Sequence, residues 1–302
     1  MSLARLLRSA LLPLSALLLL GAAWPVPPGV KTMAVNGYDL AYVERGTGTP
    51  LILLHGATSD LRSFALQMEP LAKHFRVIAI SLRHYWPEPW NGQGAFSAKQ
   101  QAEDVAAFIK ALGVGKVHLL GHSRGGYIAL ELALAHSDLL RDLVLAEPAL
   151  LLPGLVPGAG EGESKAVNAA RDLRIATTNR LIQEGKLDAA SEVWTDGING
   201  KGSYQARPAA LQQVVRENIR TVLGEEHEGK RTITCDEVRK FTLPVLLIRG
   251  EKGSHSTHLA LDVLEKCFPD QRHMTIPGAV HTMNRSNPDE FNKAVIDFAA
   301  AR

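Results

Sequence analysis

Residues 117–126 read Val117-His118-Leu119-Leu120-Gly121-His122-Ser123-Arg124-Gly125-Gly126, a short apolar run that breaks at a G-x-S-x-G turn. The run has the look of a buried strand, and the residues that follow, Gly126 to Ala133, read as the start of a helix. Small residues at 121 and 125 let the backbone turn sharply between the two and leave the Ser123 hydroxyl clear of its neighbours. The first helical turn then aims backbone N–H groups, that of Arg124 among them, at any oxygen that becomes negative when Ser123 attacks a carbonyl. A five-residue glycine–serine pattern also arises by chance. The strand before it and the helix after it are what mark Ser123 as a nucleophile.

A serine nucleophile needs a base, an orienting acid and donors for the oxyanion. Of the eleven histidines, His281 in Pro277-Gly278-Ala279-Val280-His281-Thr282-Met283 is the one that follows the last expected strand and precedes the closing helix. An ordinary loop histidine is the alternative reading. For the oxyanion, His55-Gly56-Ala57-Thr58 follows the apolar run Leu51–Leu54, so the amide of Ala57 is expected to join that of Arg124. His55 itself reads as a structural hydrogen-bonding residue.

Strands and helices alternate around these segments. A hairpin turns at Asn36-Gly37, strands are expected at Leu51–Leu54, Phe75–Ser81, 117–122 and Leu143–Ala146, and helices at Ser63–His74 and Ala98–Leu112, the latter closed by Gly113. That alternation predicts a parallel sheet covered on both faces. From about Leu150 to Phe241 it stops: a Gly/Pro loop at 154–162 leads into helical stretches at Ser164–Glu184, Leu187–Trp194 and Pro208–Leu223. A strand at Pro244–Gly250, a helix at His258–Cys267, a strand at Arg272–Ile276 and a helix at Pro288–Ala301 complete the chain.

The order of His55-Gly56, serine turn, helical insertion, strand and terminal His281 resembles the α/β-hydrolase superfamily, in its capped, esterase-like form. The resemblance runs from about residue 33 to the end. It implies an α/β fold with a mostly parallel central sheet, helices on both faces and an inserted helical cap. The core would occupy 33–149 and 242–302, and the cap 150–241. Two departures matter. Where much of the family carries its acid in a G-x-x-D turn, this chain reads Gly250-Glu251-Lys252-Gly253. Glu147, at the end of the strand after the serine turn's helix, is the favoured replacement, since certain haloalkane dehalogenases place their acid there; Glu251 is the competitor. The second departure is the loop Ser81-Leu82-Arg83-His84-Tyr85-Trp86-Pro87-Glu88-Pro89-Trp90, which lacks the family's D-x-x-G-x-G turn. Trp86 and Trp90 are candidates to line an apolar pocket, and Arg83 or His84 to meet a polar or anionic group. A loop packed on its own aromatics is the equal alternative. Trp194 and Tyr204 either close the pocket's far wall or form the cap's own core.

Composition narrows the partners. The chain has 302 residues, with 33 basic against 31 acidic, and Arg5 and Arg8 fall in a leader. No basic stripe argues for nucleic acid, and no metal-ligand spacing or cofactor motif stands out, so a small-molecule substrate is expected without metal or organic cofactor. Residues 1–23 follow the order of a secretory signal peptide: Arg5 and Arg8, an apolar run to Leu20, then Gly21-Ala22-Ala23. Export is expected, with no membrane contact after cleavage and a membrane anchor if the leader is retained. Cys235 and Cys267 could pair, though two separate buried thiols are the favoured reading. The expected chemistry is cleavage of carboxylic esters or lactones of small to medium hydrophobic substrates through an acyl-enzyme. A C–C bond hydrolase, an amidase and a catalytically silent ligand-binding protein on the same fold are the alternatives.

Overall fold

The computed structural model describes residues 28–150, 161–228 and 231–300. The leader expected at 1–23 and most of the Gly/Pro loop at 154–162 lie outside the described residues. The centre is an eight-stranded sheet ordered β1-β2-β4-β3-β5-β6-β7-β8. Its strands are β1 (Lys31–Val35), β2 (Tyr38–Arg45), β3 (Pro50–Leu54), β4 (Arg76–Ile80), β5 (Val117–His122), β6 (Leu140–Ala146), β7 (Val245–Gly250) and β8 (Gln271–Ile276). The first hairpin is antiparallel, β2 joins β4 antiparallel, and every later pair is parallel.

β3 and β5 are buried at every residue, as a parallel strand covered on both faces must be. The alternation of side chains along each strand then feeds two separate layers. Ile52, Leu54, Leu119 and Leu145 face one side, against α2 (Ala98–Leu112), α3 (Arg124–Ala135) and α9 (His255–Cys267). Leu51, Leu53, Leu120 and Val144 face the other, against α1 (Ala65–Ala72), α10 (Met283–Ser286) and α11 (Pro288–Ala299). Local chemistry sets the helix ends. The Ser97 hydroxyl accepts from the Gln100 amide to start α2, and Gly113 closes it in the left-handed conformation. α9 begins three residues earlier than the sequence suggests, because Ser254 caps it.

Between β6 and β7 the described chain is helical: α4 (Glu161–Gln183), α5 (Leu187–Asn199), α6 (Ala209–Asn218), α7 (Val222–His227) and the short α8 (Cys235–Val238). Ile175, Ile182, Trp194, Tyr204, Val215 and Ile219 form a core belonging to these helices. Among the described residues, no helix is long and apolar enough to cross a membrane.

The expectation of two separate thiols is corrected here. Cys235 in α8 and Cys267 at the end of α9 are disulfide-bonded, their Cα atoms 5.1 Å apart, within bridging range. The bond ties the end of the inserted segment to the sheet's outer helix layer and closes a loop across a separation of 32 residues. In the chain-entropy account a loop of that size is worth about 3–4 kcal/mol. Reduction, or a Cys235→Ser/Cys267→Ser variant, should therefore lower unfolding stability by about that amount in a denaturant titration; unchanged stability would mean the bond does not constrain the chain.

Candidate active site

Ser123 follows β5 at φ 53° and ψ −119°, outside the regions a serine ordinarily occupies. The turn holds because nothing larger than glycine fits beside it. A Cβ at Gly121 would lie 2.3 Å from the Gly125 carbonyl oxygen, and one at Gly125 2.3 Å from that of Leu54. The Ser123 amide donates to Ala146 O at 2.9 Å, and the Ser123 carbonyl accepts from Gly126 and Tyr127. Arg124 is the first residue of α3, where a backbone N–H has no acceptor within the helix.

The next strand over ends in a second strained residue. Glu147, just past β6, sits at φ 42° and is fully buried. Its Oε2 accepts from His281 Nδ1 at 2.6 Å and its Oε1 from the Gly250 amide at 2.8 Å. Burial pushes the Glu147 carboxyl up, but the His281 hydrogen bond and charge and the Gly250 amide outweigh it, so the group lies below the usual carboxylate range. With Nδ1 committed to Glu147, His281 has Nε2 left for the cavity it shares with Ser123. Glu251 points elsewhere: it is exposed, and its Oε2 accepts from the Gly278 amide at 2.7 Å.

Gly253 explains why the family's usual acid position is empty. A Cβ there would lie 2.4 Å from Glu147 Oε1 and 2.7 Å from His258 Nε2. The carboxylate from β6 thus fills the space from which a side chain at 253 would otherwise reach. His258 completes the surround, with Nε2 donating to Gly250 O at 2.8 Å and lying 4.0 Å from Glu147 Oε1.

Two more histidines hold the site without titrating near neutrality. His122 donates from Nε2 to the His281 carbonyl at 2.8 Å, fixing the loop that carries the imidazole. Burial, followed by the charge of His281, pushes His122 down to about 3. His55 accepts the Leu82 amide at Nε2 and so donates from Nδ1 to Gly56 O; burial pushes it down to about 4. The Arg124 side chain grips Glu228, just after α7, with two 2.7 Å hydrogen bonds. Position 124 therefore joins the serine turn to the inserted helices through buried ion pairs to Glu228 and Glu225.

Two cavities meet at Ser123. The larger, about 380 Å³, has Tyr127, Leu150, Val167, Trp194 and Ile198 on its walls beside the charged Arg171, Arg174, Glu225 and Glu228. The smaller, about 50 Å³, is bounded by Thr58, Asn199, Arg207, Asn284 and Arg285. Ala57, Ser123, Trp194, Ile198 and His281 belong to both. Trp194 is thus at once core of the inserted helices and pocket wall, whereas Tyr204 is core alone.

The four loop residues expected in the pocket line neither cavity. Arg83 pairs with Asp104 at 2.6 Å beneath the Tyr38 ring. His84 stacks on Trp90 at 4.8 Å, and Trp90 Nε1 donates to Gln93 O. Trp86 lies under the Arg62 guanidinium and donates its amide to Asn218. The loop is stabilised by its own aromatics and ion pairs, so its side chains are used up before they reach the site. Among the described residues, no group of three or more His, Cys, Asp or Glu is arranged to hold a metal ion.

A model of the alpha/beta hydrolase fold family matches residues 49–288. The chain belongs to that family. It is similar to 2-(acetamidomethylene)succinate hydrolase of Mesorhizobium japonicum, at 26% identity over 85% of this chain and 90% of that protein. It is also similar to pimeloyl-[acyl-carrier protein] methyl ester esterase of Aeromonas hydrophila, at 28% identity over 85% of this chain and 98% of that one. A solved esterase from Thermogutta terrifontis superposes with a TM-score of 0.68 at 23% identity, over 89% of this chain and 96% of its own. That superposition shows a shared fold.

Two outcomes follow for this hydrolase. Gly253→Ala should destabilise it by about 1–3 kcal/mol, and Glu147→Gly should relieve most of that cost, giving a coupling energy that a double-mutant cycle reads directly. Additive effects would mean that the two positions do not share space. The second outcome concerns acid. Both His122 and His55 are neutral when folded and regain an ordinary value near 6.5 when unfolded, so the unfolded chain binds more protons as pH falls below about 6.5. Stability should drop from pH 7 to pH 5 by about 2 kcal/mol per histidine. His122→Asn should remove its share of that loss, and an unchanged pH dependence in the variant would refute the assignment.

Proposed function

We propose that this hydrolase cleaves carboxylic esters or lactones through an acyl-enzyme, with Ser123 as nucleophile, His281 as base and Glu147 as its orienting acid. The observation that carries this reading is the 2.6 Å contact between Glu147 Oε2 and His281 Nδ1, which leaves Nε2 for the cavity that holds Ser123. The Ser123 oxygen attacks the carbonyl carbon while His281 Nε2 takes the hydroxyl proton. The C–O bond to the alcohol then breaks, and the alkoxide leaves with that proton. Water gives a proton to His281 as its oxygen attacks the acyl carbon, and the acid departs as Ser123 recovers its hydrogen. The amides of Ala57 and Arg124 carry the oxyanion in both steps. Glu147 stays ionised throughout and stabilises the imidazolium.

The apolar larger cavity and the Aeromonas relative's methyl ester chemistry support esters over other carbonyl compounds. The chain is also taken to be exported. Its leader pattern and the Cys235–Cys267 disulfide, a bond at home in oxidising compartments, support that placement.

Hydrolysis of p-nitrophenyl acetate and butyrate tests the assignment. Ser123→Ala should fall to the background rate, and Glu147→Gln should lower kcat by roughly 10³–10⁴-fold, as losing the acid does in serine triads. Equal rates for wild type and Ser123→Ala would overturn the enzyme reading.

A further inference from the structure

The smaller cavity carries a charge problem that the esterase reading does not use. Arg207, between α5 and α6, and Arg285, in α10 four residues past His281, both border it. Neither side chain makes a hydrogen bond or an ion pair among the described residues. Every other arginine around the site is engaged. Arg124 is clamped to Glu228, Arg171 faces Glu225 at 3.5 Å, Arg174 donates to Gly197 O above the Trp194 ring, and Arg62 pairs with Asp60 and Glu217.

Two half-buried arginines that line one small cavity repel one another, and withdrawing such charges from water unpaired is costly. Burial, then the repulsion of Arg207, pushes Arg285 down to about 10, with Asp60 the opposing influence. Arg285 is still cationic at neutral pH, and burial likewise lowers Arg207, against the pull of Tyr204 and Asp196. A folded protein keeps such a pair where an anion completes it, and planar guanidinium forks match the two oxygens of a carboxylate. The volume limits the size of that anion. About 50 Å³ holds a carboxylate-sized group on a short spacer, and the adjoining 380 Å³ takes the rest of the substrate.

We propose that Arg207 and Arg285 form a carboxylate subsite, so that the substrate is an ester or lactone bearing a carboxylate a few bonds from the carbonyl that Ser123 attacks. The proposal rests on the ester-cleaving reading for its chemistry, although the anion site itself does not depend on it. Binding in this subsite relieves the Arg207–Arg285 repulsion and fixes the substrate at its charged end. The apolar chamber then orients the other end across Ser123.

The test compares esters that differ only in carboxylate against methyl. Monoethyl glutarate against ethyl pentanoate places the charge on the acyl side, and 3-acetoxypropanoate against propyl acetate places it on the alkoxy side. In wild type, kcat/KM for at least one charged ester should exceed its neutral counterpart roughly tenfold or more, as charged hydrogen bonds allow. The pair that responds reports which side of the scissile bond faces the arginines. In Arg207→Gln/Arg285→Gln that ratio should collapse towards one, with Arg285→Lys intermediate. A wild-type ratio at or below one for both pairs, or a ratio unchanged in the double variant, would overturn the proposal. Should no ester be turned over, the ester reading fails separately. Calorimetric binding of monoethyl glutarate to Ser123→Ala then still decides the subsite: binding lost in the added Arg207→Gln/Arg285→Gln background supports it, and absent or unaltered binding refutes it.

Discussion

The Glu147 carboxylate organises this site. It is buried without solvent, and its two oxygens are taken by His281 Nδ1 and the Gly250 amide. That pair of contacts ties the end of β6 to the end of β7 and to the loop after β8, three places that are distant in sequence. An ionised group so placed is tolerable only because both oxygens are satisfied. The same demand reaches Gly253, where any side chain would enter the carboxylate's space. An acid on β6 and a glycine at the later turn are therefore one arrangement seen from two ends.

Strain concentrates at the same edge of the sheet. Ser123 and Glu147 each follow the end of one of two neighbouring strands, both with positive φ, and the Ser123 amide donates to the Ala146 carbonyl. Such conformations cost about 1–3 kcal/mol each, and the surrounding hydrogen bonds hold them. His122 adds a link from the strand to the His281 carbonyl, and Arg124 a link from the first helical turn to Glu228. Three consecutive residues, 122 to 124, thus tie the His281 loop, the strained serine turn and the inserted helices together.

The fold was legible where burial dictates sequence. Strands such as β3 and β5 are apolar throughout because both faces are covered, and α2 announces itself by its amphipathic pattern and Gly113. Ser123, His281 and Glu147, expected together because each follows a strand end in a fixed topology, do converge in space. What sequence hid depends on tertiary placement. Nothing in the spelling of residues 83–90 says that Arg83 is spent on Asp104 or that Trp90 stacks on His84, so a pocket role looked as good as self-packing. The Cys235–Cys267 bond needed the short α8, whose only local sign was the capping box of Thr234 and Glu237. Arg207 and Arg285 lie 78 positions apart in number, and their shared cavity has no sequence signature.

The central claim is that His281 is oriented by Glu147 and not by Glu251. Proton NMR of the chain with ¹⁵N-labelled histidine reads that hydrogen bond directly. A strongly downfield resonance attached to His281 Nδ1 is expected in wild type, kept in Glu251→Gln and lost or moved far upfield in Glu147→Gln. A resonance that survives in Glu147→Gln, or disappears in Glu251→Gln, would contradict the account.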